Sequence, residues 1–342
     1  MDYLKEAMRI HRESPLVDAH LDLAYEIYNR NQVGESGIIK KYYLDHLRKA
    51  GVRIVVSSLF IPSLYLPEMG LRMALNQMNA LVEDIKLDRE HLMLIQDKKD
   101  LERVLAEDKI GFLMSFEGLE PIMNDSGLLH IFYRLGVRGA GLVWNRRNYV
   151  ADGNFSKENQ KGRRGGLTEF GVEVVKKCEG LPLFIDVSHL NDEGFEDVLR
   201  YTHRPFIASH SNARALYPVK RNLTDWQIKA IAERGGLIGI NAEKSLLGPA
   251  ADEEPIKTIV NHIDYMVNLV GYKSLGLGLD LCAGGTDTEL RFGKEKKLSQ
   301  DGLRSHEEIL LITVELLKRG YPQEAIKDIL GRNFLNYLRL FL

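Results

Sequence analysis

The sequence predicts an α/β protein built as a closed (β/α)8 TIM barrel, and three observations carry that prediction. Short apolar, β-branched runs recur along the chain as eight candidate strands. Stretches with helical spacing separate them, so successive strands are joined by crossovers and the sheet should be parallel. The first strand runs into "HLD" rather than a glycine-rich phosphate fingerprint, which favours a closed barrel over an open doubly wound sheet.

The candidate strands are 16–20 (LVDAH), 52–60 (VRIVVSSLF), 110–116 (IGFLMSF), 137–143 (VRGAGLV), 183–188 (LFIDVS), 206–209 (FIAS), 237–241 (LIGIN) and 275–279 (LGLGL). Each is a short apolar run of the kind that parallel strands, covered on both faces, require. Helical spacing marks 71–88, 168–178, 191–201, 224–234 and 255–270. Thr168, Asn191 and Thr224 stand where a side-chain oxygen would cap the first turn of three of these helices.

With 342 residues, 44% hydrophobic and 27% charged, the chain is long enough for a large core. No linker or repeat divides it, so the expectation is a single barrel domain over 1–342 with a C-terminal helical tail. The formal charge of -2 suggests neither a nucleic-acid nor a membrane-surface partner. The first fifteen residues carry charges throughout and no apolar signal core, and the apolar end "NFLNYLRLFL" is too short to span a bilayer. The expected location is therefore cytoplasmic. Cys178 and Cys282 lie far apart, which indicates neither a disulfide framework nor a cysteine metal site.

In such a barrel the chemistry sits just past the C-terminal ends of the strands. Those positions hold His20 and Asp22, Glu117, Trp144 and Asn145, His189, His210, Asn241 and Asp280. Any one of them is ordinary: a strand-end histidine is more often structural than a ligand, and Glu117 alone reads equally well as a turn carboxylate. Their convergence is not ordinary. His20 and Asp22 are two apart, so on a strand they project to one face and a metal ion can hold both. Two more histidines and the Glu117 carboxylate would complete a site for two divalent ions, with Glu117 between them. Asp18 and Asp186, inside their strands, are expected to support ligands rather than to bind metal. His11, His46, His91, His130, His203, His262 and His306 fall away from the strand ends and are assigned to the surface or to partial burial. The basic clusters at 145–148 and 161–166 are read as loop surface, with an anion site as the lesser alternative.

The segments "PLVDAHLDL" (15–23), "SFEGLEPI" (115–122), "LFIDVSHLND" (183–192), "PFIASHSNARAL" (205–216), "RNLTDWQIKAIAERGGLIGIN" (221–241), "GLGLDL" (276–281) and "ILGRNFLNYL" (329–338) resemble the membrane (renal-type) dipeptidases, in a soluble bacterial form. That is a branch of the metal-dependent hydrolase barrels, and the resemblance covers nearly the whole chain. It implies that His20 and Asp22 bind one zinc, that His189 and His210 bind a second, and that Glu117 bridges the two. It implies further that Arg221 receives the substrate carboxylate, which suits the bidentate guanidinium, and that Asp280 is the acid/base carboxylate. Where mammalian members have a substrate-contacting histidine, this chain has Trp144 and Asn145, so Asn145 becomes the candidate oxyanion partner. The second acidic residue expected after the last strand is Cys282, read as a packing residue.

The implied activity is zinc-dependent hydrolysis of dipeptides, including those with a D-residue at the C-terminal position, through a water activated between the metals. Manganese, iron or cobalt would suit the same ligands. Two alternatives stay open: an amidohydrolase acting on N-acyl amino acids, cyclic amides or lactones at the same centre, and a metal-free binding barrel. The partner expected is a small dipeptide, with a homodimer through outer helices or the apolar tail left open.

Overall fold

The computed structural model describes residues 2–154, 165–281 and 302–342. Its strands are β1 (Leu16–Leu21), β2 (Val52–Phe60), β3 (Leu92–Leu94), β4 (Ile110–Glu117), β5 (Val137–Gly141), β6 (Phe184–Asp186), β7 (Ile207–Ala208), β8 (Leu237–Ile240) and β9 (Leu275–Leu277). All pairings are parallel, and the eight strands β1, β2, β4, β5, β6, β7, β8 and β9 close into a ring in that order, β9 returning to β1 where Asp18 aligns with Leu277. The fold is the (β/α)8 barrel that the apolar runs predict.

The ninth strand, β3, lies outside the ring. It pairs only with the first residues of β4, from Leu92 beside Ile110 to Leu94 beside Phe112. Three residues carry no periodicity, which is why the sequence does not announce it. β1 and β4 are buried along their whole length, as strands covered by side chains on both faces must be.

The helices Gly70–Lys86, Glu169–Gly180, Asp192–Tyr201, Asp225–Glu233 and Pro255–Val270 fall within two residues of the expected spans. Their caps form as the sequence indicates. Thr168 accepts from the Gly171 N–H and Asn191 from the Gly194 N–H, both at 2.9 Å. Thr224 and Gln227 make a reciprocal capping box.

One apolar layer fills the space between strands and helices. A second lies among inward-facing Val17, Ile54, Leu113, Ile207 and Leu237, and the C-terminal residues join it. Tyr337 and Phe341 meet Phe184 edge-on at 6.1 and 5.9 Å, and the Tyr337 hydroxyl donates to Pro205 O at 3.1 Å. The apolar tail packs on its own barrel at the N-terminal ends of β6 and β7. Among the described residues no helix is long and apolar enough to cross a membrane.

Three of the histidines assigned to the surface or to partial burial require correction. His11, His262 and His306 are buried. Each found a partner that spacing could not reveal: His11 bonds Ala50 O and Thr313, His262 accepts from the Ala213 N–H, and His306 bonds Asp18. The anion-site alternative also fails for the first basic cluster, because Arg146 pairs with Glu120 at 2.9 Å and Arg147 with Asp152. Residues 161–164 of the second cluster, and Cys282, lie outside the described residues. Cys178 is buried, and burial pushes its thiol up to about 12, which leaves it unreactive.

Candidate metal centre

The C-terminal rim of the barrel gathers the strand-end residues into one pocket. His20 is the penultimate residue of β1 and Asp22 the residue just past it; Glu117 ends β4; His189, His210 and Asp280 follow β6, β7 and β9. His20 Nε2 lies 3.6 Å from Glu117 Oε2 and 3.8 Å from both Asp22 Oδ1 and Asp280 Oδ1. On the other side of Glu117, Oε1 stands 2.9 Å from His189 Nε2 and 3.7 Å from His210 Nε2. Glu117 thus has one carboxylate oxygen turned toward each half of the pocket. The His20 and His210 rings stack with centroids 3.6 Å apart, which closes the floor.

Supporting hydrogen bonds aim these side chains. Ser209 Oγ donates to Asp186, so its oxygen is left to accept from His210 Nδ1 at 2.6 Å. Asn145 Oδ1 takes His189 Nδ1 at 2.8 Å. Both rings are thereby held in the tautomer whose Nε2 is a lone pair, yet these two atoms lie 2.9 Å apart. Two lone pairs at that distance, with a Glu117 oxygen beside them, repel unless a cation sits among them. His20 Nε2 and Glu117 Oε2 are also buried without a hydrogen-bond partner, a costly condition in a folded protein. The donor set of imidazole nitrogens and carboxylate oxygens is that of zinc and neighbouring transition metals. Ligand atoms of His20, Glu117 and His210 all lie within 4.8 Å of one another, as do those of His20, Asp22 and Asp280. The residues fit divalent metal.

The electrostatics agree. Burial, reinforced by the nearby Arg221 charge, holds His189 and His210 well below the ordinary imidazole value, and burial lowers His20 too, so all three are neutral and able to ligate. Burial first, then the Asp22 charge, drives the Glu117 and Asp280 carboxyls well above the usual carboxylate range. A pocket rich in acceptors and short of positive charge is one that a bound cation would reverse.

The remaining sequence candidates fall around this pocket. Asn241 Nδ2 donates to Asp280 Oδ2 at 3.1 Å, leaving Oδ1 facing His20. Trp144 forms a wall: its ring lies 6.0 Å from His189 and 5.1 Å from Phe60, with the Arg146 guanidinium 5.2 Å from its face. Asn145 points at His189 rather than standing free. Arg221 is brought in by a loop that folds back on the segment after β7, through Leu223 N to Asn212 O at 2.8 Å. Its guanidinium donates to Ser211 Oγ at 2.7 Å and to His210 O at 2.8 Å. It is only 9% exposed, and both of its hydrogen-bond acceptors among the described residues are neutral.

Asp18 and Asp186 behave as supports. Asp18 accepts from the N–H groups of His20 and Leu279 and from His306 Nε2 at 2.8 Å; Asp186 accepts from Ser188 and Ser209. Sequence reasoning missed Ser58, whose hydroxyl donates to Asp22, together with Ser209, Ser211 and His306. Serines are too common for any signal to single them out. The glycines at 239 and 278 are equally silent, yet a Cβ at either would stand 1.8 Å from Ser209 O, so only glycine lets β8 and the end of β9 approach the His210 segment. Among the described residues a third acidic group, Asp88, Glu90 and His91, lies elsewhere, and Lys40 already meets Asp88 at 3.2 Å.

A parallel barrel bearing histidines and carboxylates at its C-terminal rim is the architecture of a metal-dependent hydrolase. The family model for membrane dipeptidase (peptidase family M19) matches residues 4–340, and the chain belongs to that family of metallo-dipeptidases, hydrolases acting on peptide bonds. Relatives agree. A protein encoded in the pqqA 5′ region of Klebsiella pneumoniae is 34% identical over 72% of this chain and 88% of its own length. Dipeptidase verJ of Clonostachys rogersoniana is 26% identical over 98% of this chain and 87% of its own. A metallo peptidase from Rhodobacter sphaeroides, solved with a phosphinate mimic of the dipeptide L-Ala-D-Ala, superimposes with a TM-score of 0.80 at 25% identity, over 96% of this chain and 99% of its own.

Proposed function

We propose that this metallo-dipeptidase cleaves free dipeptides, with D- as well as L-residues at the C-terminal position, at a centre of two divalent ions, zinc in the first instance. His20 and Asp22 would hold one ion, His189 and His210 the other, and Glu117 both. Such ions supply a Lewis acid for the carbonyl and lower the pKa of a bound water from ~15.7 toward about 7.

The chain's own residues do the rest. Arg221 receives the substrate's carboxylate through its guanidinium, fixing the peptide bond at one distance from the pocket. Asp280, steadied by Asn241, takes the proton of the attacking water through Oδ1 and returns it to the departing nitrogen. Trp144 and Phe60 keep water off the apolar side. Asn145 is engaged with His189, so we assign it to positioning that ring.

The observation that carries this reading is Arg221: a buried cation without an acidic partner among the described residues. An unpaired buried charge is costly, and a substrate carboxylate offsets it. The D-residue part of the proposal draws on the L-Ala-D-Ala mimic held by the Rhodobacter sphaeroides relative. We expect Arg221→Met to lower kcat/KM on a dipeptide by about a hundredfold or more, from the ~2–5 kcal/mol cost of breaking a buried charge pair. The same substitution should leave slow hydrolysis of the corresponding dipeptide amide unchanged. Equal losses on both would contradict the assignment.

A further inference from the structure

We propose that Arg214 is a positioning residue for Arg221: anchored on Asp192, it fixes the loop that carries Arg221 and sets how strongly the site prefers a free carboxylate. The inference rests on the dipeptidase reading above, in which Arg221 receives that carboxylate, and goes beyond it by adding a second arginine that acts through the first.

Arg221 is held at its head, and its loop is held at its base. At the head, the guanidinium directs two N–H groups to Ser211 Oγ and the His210 carbonyl, which leaves the others for a ligand. At the base, Arg214 Nε donates to Asn222 O at 2.7 Å and Nη2 to Lys220 O at 2.9 Å. Those carbonyls flank Arg221 on either side, so one guanidinium spans the residue that carries the other. Arg214 is itself fixed by a bidentate pair to Asp192, both bonds at 2.7 Å, and Gln227 Nε2 donates to the same Asp192 Oδ1 at 3.0 Å. Asp192 opens the helix Asp192–Tyr201 and Gln227 lies in the first turn of Asp225–Glu233, so the anchor belongs to the helical layer and not to the loop. Two backbone bonds complete the frame, Arg214 N–H to Leu223 O and Leu223 N–H to Asn212 O, both at 2.8 Å.

Satisfying these carbonyls does not by itself require an arginine. Lys220 is exposed, and water would serve its carbonyl as well. What water does not supply is a fixed distance from Asp192 to both sides of Arg221. The planar fork reaches a carboxylate and two carbonyls at once, which a single ammonium does not. A guanidinium that meets a carboxylate through two parallel bonds depends on where its backbone stands, and a shift of about 1 Å in such a positioning group can cost on the order of 10²-fold. Among the described residues none of the Arg214 bonds goes to His20, Asp22, Glu117, His189 or His210. Its influence therefore falls on carboxylate recognition and leaves the metal ligands aside.

The test measures kcat/KM for Ala-Ala and for Ala-alaninamide, which lacks the free carboxylate, on the metal-loaded enzyme, on Arg214→Gln, on Arg221→Met and on the double variant. The ratio between the two substrates cancels any general loss of stability or of metal, which a merely structural role would produce. We expect Arg214→Gln to lower that ratio about tenfold in the native background and by less than about twofold in the Arg221→Met background. Asp192→Asn keeps the shape of the anchor without its charge and should lower the ratio in the same direction; it decides the question if Arg214→Gln does not fold. A ratio unmoved by the Arg214 or Asp192 substitution, while Arg221→Met lowers it, overturns the inference and leaves the dipeptidase reading in place. An equal fall in the Arg221→Met background also overturns it, because Arg214 would then act elsewhere. A ratio that Arg221→Met leaves unchanged overturns the assignment of Arg221 and this inference with it.

Discussion

Two residues of the pocket, His189 and Asp280, have backbone φ of 68° and 57°, in the left-handed region that side chains other than glycine and asparagine avoid. Each costs on the order of 1–3 kcal/mol, a strain that accumulates at functional sites. Both residues turn a functional group into the rim just where a strand ends. For Asp280 this allows a clean substitution, since asparagine tolerates the same backbone. Asp280→Asn should lower kcat by roughly 10²–10⁴, the usual worth of a positioned acid/base, with bound metal and thermal stability unchanged. Loss of metal with the activity would make Asp280 a ligand instead. At this scale the sequence was informative for residue types and silent for their supports. Histidine and carboxylate at strand ends are rare enough to stand out, and His20, Glu117, His189 and His210 do meet in one pocket. Ser58, Ser209 and Ser211 acquire meaning only through partners tens of residues away.

At the scale of elements, alternation of apolar runs and helical spacing revealed the eight barrel strands and the five capped or periodic helices, because parallel strands and amphipathic helices leave strong local patterns. It could not reveal β3, whose three residues depend on β4, nor the buried histidines that tie elements together. His11 shows what such a tie does. It joins the helix Tyr3–Glu13 to Ala50 O and to Thr313 on the helix Ile309–Lys318, at 2.7 Å each. Burial depresses it from 6.5 to about 4, so it folds neutral. Stability from this site is complete above pH 6.5 and is lost as pH falls toward 4, by roughly 3 kcal/mol in all. Urea unfolding of native protein and His11→Gln at pH 7 and pH 4.5 measures it. The native protein should lose more stability across that interval than the variant, and equal losses would rule His11 out as the source.

For the whole molecule, closure of the ring is what turns scattered residues into a site. Candidate ligands separated by up to 190 positions, from His20 to His210, share a pocket only because β1 and β7 belong to one barrel. At the other end of the barrel the apolar C-terminal residues cover the N-terminal ends of the strands. The tail's docking was not legible because apolar character alone does not choose between surfaces. On the function proposed above, this barrel holds divalent metal and needs it to cleave dipeptides. The direct measurement is elemental analysis of protein purified without chelator, followed by hydrolysis of LL and LD dipeptides before and after chelation. We expect about two divalent ions per chain, with hydrolysis abolished by chelation and restored by zinc or manganese. Protein without metal that hydrolyses no dipeptide after either ion is added would contradict it.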